Sequence, residues 1–162
     1  MKTLVVCYSR TGNTHSLGHR IAGALDAPIE DIADRVVRRG LLGYLRSGRD
    51  AWFGYVPEIL PSDHDPGEYD LVVVGTPVWN WSLSGPARAY LKRYASRLPR
   101  VAFFCTMGGA GSGRVFRQME EAVGRAPVAT FARNQAQLAA MDLDNAVEAF
   151  ASLVRARFAK PA

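Results

Sequence analysis

Apolar and polar positions alternate along this chain in blocks that switch between two periods. Residues 3–8 form a near-continuous apolar run that ends at Ser-Arg-Thr-Gly-Asn-Thr, the pattern of a strand buried on both faces. Leu17, Ile21 and Leu25 then recur every fourth residue and predict a helix from about Thr14 to Asp26. A short strand over 28–32 follows, and a second buried run over 71–74 is bounded by Tyr69-Asp70 and by Gly75-Thr76-Pro77. Pro86 suits the first turn of a helix that turns Ala87, Tyr90, Leu91 and Tyr94 inward. A third central strand is expected over 101–105, a helix over 113–123, a weaker strand over 128–132, and a last helix from an Asp142 cap through Val147, Phe150, Leu153 and Val154.

Strands alternating with helices of about a dozen residues require crossover connections, hence a parallel sheet with helices on both faces. The expected fold is one α/β domain, a doubly wound five-stranded parallel sheet spanning 1–162. Segment 35–61 breaks the rhythm. It carries Arg35, Arg38, Arg39, Arg46 and Arg49 beside Leu41, Leu42, Tyr44, Leu45, Trp52, Phe53 and Tyr55. It reads as a short amphipathic helix in a long connection, packed on the sheet in preference to serving a partner.

At 162 residues, 48% hydrophobic and 22% charged, the chain has ample material for one core. The N-terminal apolar run is too short for a signal-peptide core or a membrane span. Cys7 and Cys105 both fall in strand-like runs and read as buried reduced thiols, which suits a cytoplasmic protein. The net charge of +5 raises the question of nucleic acid, but no zinc spacing or basic zipper accompanies it. Neither a nucleic acid nor a membrane is expected as a partner. The charge is unevenly spread: acids are absent between Asp70 and Glu120, a stretch holding Arg88, Lys92, Arg93, Arg97, Arg100, Arg114 and Arg117.

Doubly wound sheets bind ligands beyond the C-terminal strand ends, where the winding reverses. Three loops there are unusual. Ser9, Arg10, Thr11, Gly12, Asn13 and Thr14 leave the first strand and open the first helix, so backbone N–H groups and the positive helix end converge. With no Walker lysine and no dinucleotide glycine pattern, a monophosphate is the fitting anion. Thr76, Pro77, Val78, Trp79, Asn80 and Trp81 follow the second buried strand and offer two indoles for stacking on a planar ligand, with one of the pair expected to cover the sheet edge. Thr106, Met107, Gly108, Gly109 and Gly111 belong to a glycine-rich turn whose backbone can approach a flat ring edge.

Ser9-x-Thr11-Gly12-Asn13-Thr14, the tryptophan loop and Thr106-x-Gly108-Gly109, taken in order along essentially the whole chain, resemble the flavodoxin-like FMN proteins. The absence of a long insertion near the fifth strand resembles the short-chain type. The resemblance implies the strand order 2-1-3-4-5 and FMN as cofactor. It further implies that residues 9–14 hold the FMN phosphate, that residues 76–81 contact the isoalloxazine and ribityl chain, and that residues 106–111 line the ring edge. The chain departs from flavodoxins in two respects: it is basic, and no aromatic lies between Thr106 and Arg114 to cover the outer flavin face.

The leading functional expectation is electron transfer through FMN, to a redox partner protein or a small-molecule acceptor, by a monomer or homodimer. An NAD(P)H-dependent quinone or flavin reductase is the alternative, and a non-catalytic flavin-binding interaction module using residues 35–49 is a third. His15 and His19 lie i, i+4 on the first helix without a third ligand nearby in sequence, so they read as a solvated helix face and no metal is expected. His64 reads as surface.

Overall fold

The computed structural model describes residues 1–34 and 56–159. The helix expected in the arginine-rich connection, with Trp52, lies outside the described residues.

Five parallel strands form the sheet, in the order β2-β1-β3-β5-β6. They are β1 (Thr3–Cys7), β2 (Ile29–Asp31), β3 (Leu71–Trp79), β5 (Arg100–Met107) and β6 (Thr130–Asn134). A two-residue strand, β4 (Ser82–Leu83), pairs antiparallel with the end of β3. Discounting that return, the order is the expected 2-1-3-4-5. Side-chain alternation builds two cores. Leu4 and Val6, Val72 and Val74, and Val101 and Phe103 face one side; Val5 and Cys7, Leu71 and Val73, and Ala102 and Phe104 face the other.

Helices close both faces. On the first, α2 (Gly85–Tyr94) buries Ala87, Tyr90 and Leu91, and α3 (Ser112–Val123) buries Val115, Met119 and Val123. On the second, α1 (Asn13–Leu25) buries Leu17, Ile21 and Leu25 at the expected four-residue spacing. It packs beside α5 (Leu143–Phe158), which contributes Val147, Phe150 and Val154. Pro86 occupies the first turn of α2 as expected.

Several boundaries differ from the sequence reading. β3 does not stop at Val74 but runs on through Gly75, Thr76, Pro77, Val78 and Trp79. Pro77 is tolerated because β1 pairing ends at Cys7 opposite Gly75, leaving β5 as the only parallel neighbour of β3 there among the described residues. β5 likewise extends through Thr106 and Met107. β6 is shifted two residues onward, its polar Arg133 and Asn134 being acceptable on an edge strand. The short helix α4 (Gln135–Leu138) was not anticipated, although Asn134 and Gln137 spell a capping box and form both of its hydrogen bonds.

Candidate functional site

The C-terminal ends of β1, β3 and β5 lie side by side, so the three singled-out segments meet at one edge of the sheet. The first is a true loop. Gly12 adopts φ +95°, at the N-cap of α1, and its N–H donates to Ser9 Oγ at 3.0 Å. No side chain caps α1, and no acid stands in its first turn. No carboxylate within the first turn itself offsets the positive helix end. Thr11, Gly12 and Asn13 are exposed, Ser9 and Arg10 half-buried, and an added Cβ on Gly12 would meet nothing within 4 Å. The space beside Gly12 is thus open among the described residues.

Thr14 plays a different part from its neighbours. Its hydroxyl is buried against the Thr106 hydroxyl at 2.7 Å, tying the start of α1 to the end of β5. Beyond Thr106 and half-buried Met107, Gly108 and Gly109 are exposed with open space at their Cβ positions.

The tryptophan segment is a β-hairpin instead of a loop. Val78 faces Leu83 and Trp79 faces Ser82, leaving Asn80 and Trp81 as a two-residue turn. Both turn residues have positive φ, 49° and 56°, the sense of a type I′ turn. Asparagine suits that conformation; tryptophan in it carries strain of about 1–3 kcal/mol. The two indoles consequently separate. Trp79 is 9% exposed and packs edge-on against Tyr8, ring centroids 5.5 Å apart, so it belongs to the core. Trp81 is 57% exposed at the turn tip.

Gly111, at the N-cap of α3 with φ +114°, brings the third segment against this tip. A Cβ there would lie 3.1 Å from Trp81 Cδ1 and 3.0 Å from Val78 Cγ1, a tight contact at a positive φ that favours glycine. Three residues outside the sequence reading hold the hairpin in place. Ser84 bonds Thr76 between hydroxyls at 2.8 Å, Gln118 Oε1 accepts the Leu83 N–H at 2.8 Å, and Tyr8 supports Trp79. Gln118 is a half-buried polar residue of α3, between buried Val115 and Met119 in sequence, and gives no sequence signal of this role.

Cys7 and Cys105 are free and buried. Burial pushes the Cys105 thiol up to about 12 and raises that of Cys7 as well, with Asp31 adding to the second shift. Neither is a ready nucleophile. His64 is half-buried and bonds Tyr69 Oη at 2.7 Å. Among the described residues, no helix is long and apolar enough to cross a membrane.

No protein-family model matches the sequence, and no curated protein matches it significantly. Solved structures do match in shape. A flavoprotein in complex with FMN from Lactobacillus acidophilus NCFM is 24% identical over 81% of this chain and 92% of its own, with a TM-score of 0.71. A flavodoxin of Streptococcus pneumonia TIGR4 is 14% identical over 97% and 99%, with a TM-score of 0.62. Two-electron reduced flavodoxin from Megasphaera elsdenii is 19% identical over 93% and 99%, with a TM-score of 0.57. The chain has the flavodoxin-like fold.

Proposed function

We propose that this chain binds FMN at the joined ends of β1, β3 and β5 and acts as a redox protein that passes electrons through it. The observation that carries the reading is the meeting of an uncapped, acid-free helix N-terminus, a glycine turn with open space before it, and an exposed strained indole on one sheet edge. The donor chemistry suits a phosphate ester: the backbone of residues 11–14, with the hydroxyls of Ser9 and Thr11, the Asn13 amide and Arg10, would hold it. The backbone at Gly108 and Gly109 would approach the ring edge, and Trp81 would lie against a ring face. Thr14 and Thr106 act through their mutual hydrogen bond, fixing the spacing between phosphate and ring segments. Bound FMN supplies one- and two-electron chemistry, while the protein supplies binding, orientation and exclusion of water. The L. acidophilus protein, described in complex with FMN, supports the same cofactor.

The acid-free stretch from Asp70 to Glu120 contains both ring-side segments, so the chain places no carboxylate of that stretch where reduction adds negative charge. That observation favours a second reading, a reductase taking electrons from NAD(P)H to a quinone or flavin. The two separate in steady-state assays of the FMN-loaded protein. A carrier, once reduced chemically, passes electrons to a one-electron acceptor protein and oxidises NADPH only with a separate reductase; saturable NADPH oxidation by the protein alone, with a quinone as acceptor, replaces carrier with reductase. Two reduced buried thiols support a cytoplasmic setting for either.

Trp81 provides a test in which stability and binding move in opposite directions. In Trp81→Gly, the turn conformation loses its strain, and thermal stability should rise by the equivalent of about 1 kcal/mol. FMN affinity should fall by roughly 0.5–1.5 kcal/mol beyond the lost contact area. Thermal melts and fluorescence titration check the pair; unchanged FMN affinity removes Trp81 from the site.

A further inference from the structure

A cluster on the α1 side of the sheet is not used by the cofactor reading. Cys7 ends β1, Asp31 ends β2 directly opposite it in register, and His15 lies in the first turn of α1 above them. Cys7 Sγ, His15 Nδ1 and an Asp31 carboxylate oxygen all lie within 4.8 Å of one another. The Cys7 thiol donates to Asp31 Oδ1 at 3.6 Å, and His15 Nδ1 meets the same oxygen at 2.8 Å. On its far side, His15 Nε2 lies 2.8 Å from His19 Nε2. In sequence the two histidines have no third ligand nearby; the fold brings Cys7 and Asp31 to His15 from two adjacent strand ends.

We propose that Cys7, His15 and Asp31 bind one zinc-class divalent ion, with His19 orienting His15 from outside. The ligand set is diagnostic: a thiolate beside an imidazole and one carboxylate suits zinc and disfavours magnesium or calcium, which take oxygen ligands. Tetrahedral zinc, with bonds of about 2.0–2.3 Å, spaces its ligand atoms roughly 3.3–3.7 Å apart. The Cys7–Asp31 separation already meets that spacing. The His15–Asp31 pair must open slightly and the Cys7–His15 pair, within 4.8 Å, must settle to the same spacing; the His15 and Asp31 side chains are partly exposed, so they can move. Coordination forms bonds from the ion to Sγ, Nδ1 and a carboxylate oxygen and releases the Cys7 proton to solvent. Metal on Nδ1 requires the hydrogen on Nε2, which then donates to His19 Nε2, an outer hydrogen bond that fixes the tautomer and ring orientation. A fourth position is left for water.

The proposal is independent of whether FMN binds. Untagged full-length protein is titrated with Co²⁺ and then with Zn²⁺, recording difference spectra so that any bound chromophore cancels. One equivalent of Co²⁺ should saturate, produce a thiolate-to-metal charge-transfer band in the near ultraviolet, and be displaced by Zn²⁺. Cys7→Ser should abolish the band, His15→Asn and Asp31→Asn should each weaken binding at least about tenfold, and His19→Gln about tenfold through His15. Cys105→Ser should leave the band unchanged. If buried Cys7→Ser does not fold, the His15 and Asp31 variants, at partly exposed positions, decide the matter. Absence of a saturable band in the native protein overturns the proposal, as does unchanged affinity in both His15→Asn and Asp31→Asn, or a band that follows Cys105.

Discussion

FMN should bind the flavin-free protein at least about a hundredfold more tightly than riboflavin. The two ligands share the ring and the ribityl chain and differ only in the phosphate, so the comparison isolates the first loop. Hydrogen bonds to a charged group contribute about 1.5–3 kcal/mol each, and a helix N-terminus adds about 0.3–1 kcal/mol or more to a nearby anion. Two such hydrogen bonds alone amount to at least about 3 kcal/mol, and a hundredfold in affinity corresponds to about 2.7 kcal/mol. The loop has the features this requires: no side-chain cap on α1, no acid in its first turn, and Gly12 at φ +95° with open space before it. The difference should shrink as salt rises, because the loop is largely exposed. Fluorescence titrations with the two flavins check it. Equal affinities would show that the loop is not a phosphate site.

Gly75→Ala should cost stability heavily. A Cβ on Gly75 would lie 2.0 Å from Phe104 Cζ and 2.4 and 2.5 Å from its two Cε atoms, far inside any tolerable contact. The ring cannot simply retreat. Phe104 is fully buried, and its tip also approaches Gly18 of α1, where an added Cβ would stand 3.3 Å away. Phe104 thus fills a slot between β3 and α1 that two glycines keep open. Overpacking a tight core costs about 1–3 kcal/mol and occasionally more, and this contact belongs at the upper end. About 3 kcal/mol lowers Tm by roughly 6–12 °C in a chain of this size. Phe104→Leu should destabilise the wild type yet recover part of the loss in Gly75→Ala, a non-additivity expected of residues in direct contact. Thermal melts of the four proteins test this, and an unchanged Tm in Gly75→Ala would contradict the packing described.

What the sequence made legible follows from how strongly each residue reports its surroundings. The runs at 3–8 and 71–74 are apolar on both faces because both faces are covered, and that pattern identified the central strands. The four-residue spacing of Leu17, Ile21 and Leu25 placed α1 to within a residue at each end. The tryptophan segment misled for a local reason. A type I′ hairpin is normally announced by glycine at the second turn position, whereas here Trp81 occupies it at φ 56°. Pro77 reinforced the impression that the strand had ended. Reading the hairpin correctly separates the two indoles, because Trp79 is the last paired residue of β3 and packs inward while Trp81 stands in the turn and is exposed. Contacts such as Thr14–Thr106, Gln118–Leu83 and Cys7–Asp31 join residues 92, 35 and 24 positions apart, and no local pattern encodes them.

The flavin content of the purified protein tests the reading most directly. Protein purified from cells should be yellow, or should become so on addition of FMN, with about one FMN per chain retained through gel filtration. The chromophore released on heating should be FMN, not riboflavin. A well-folded protein that is colourless, and that retains no FMN after incubation with an excess, would contradict FMN binding at the joined ends of β1, β3 and β5.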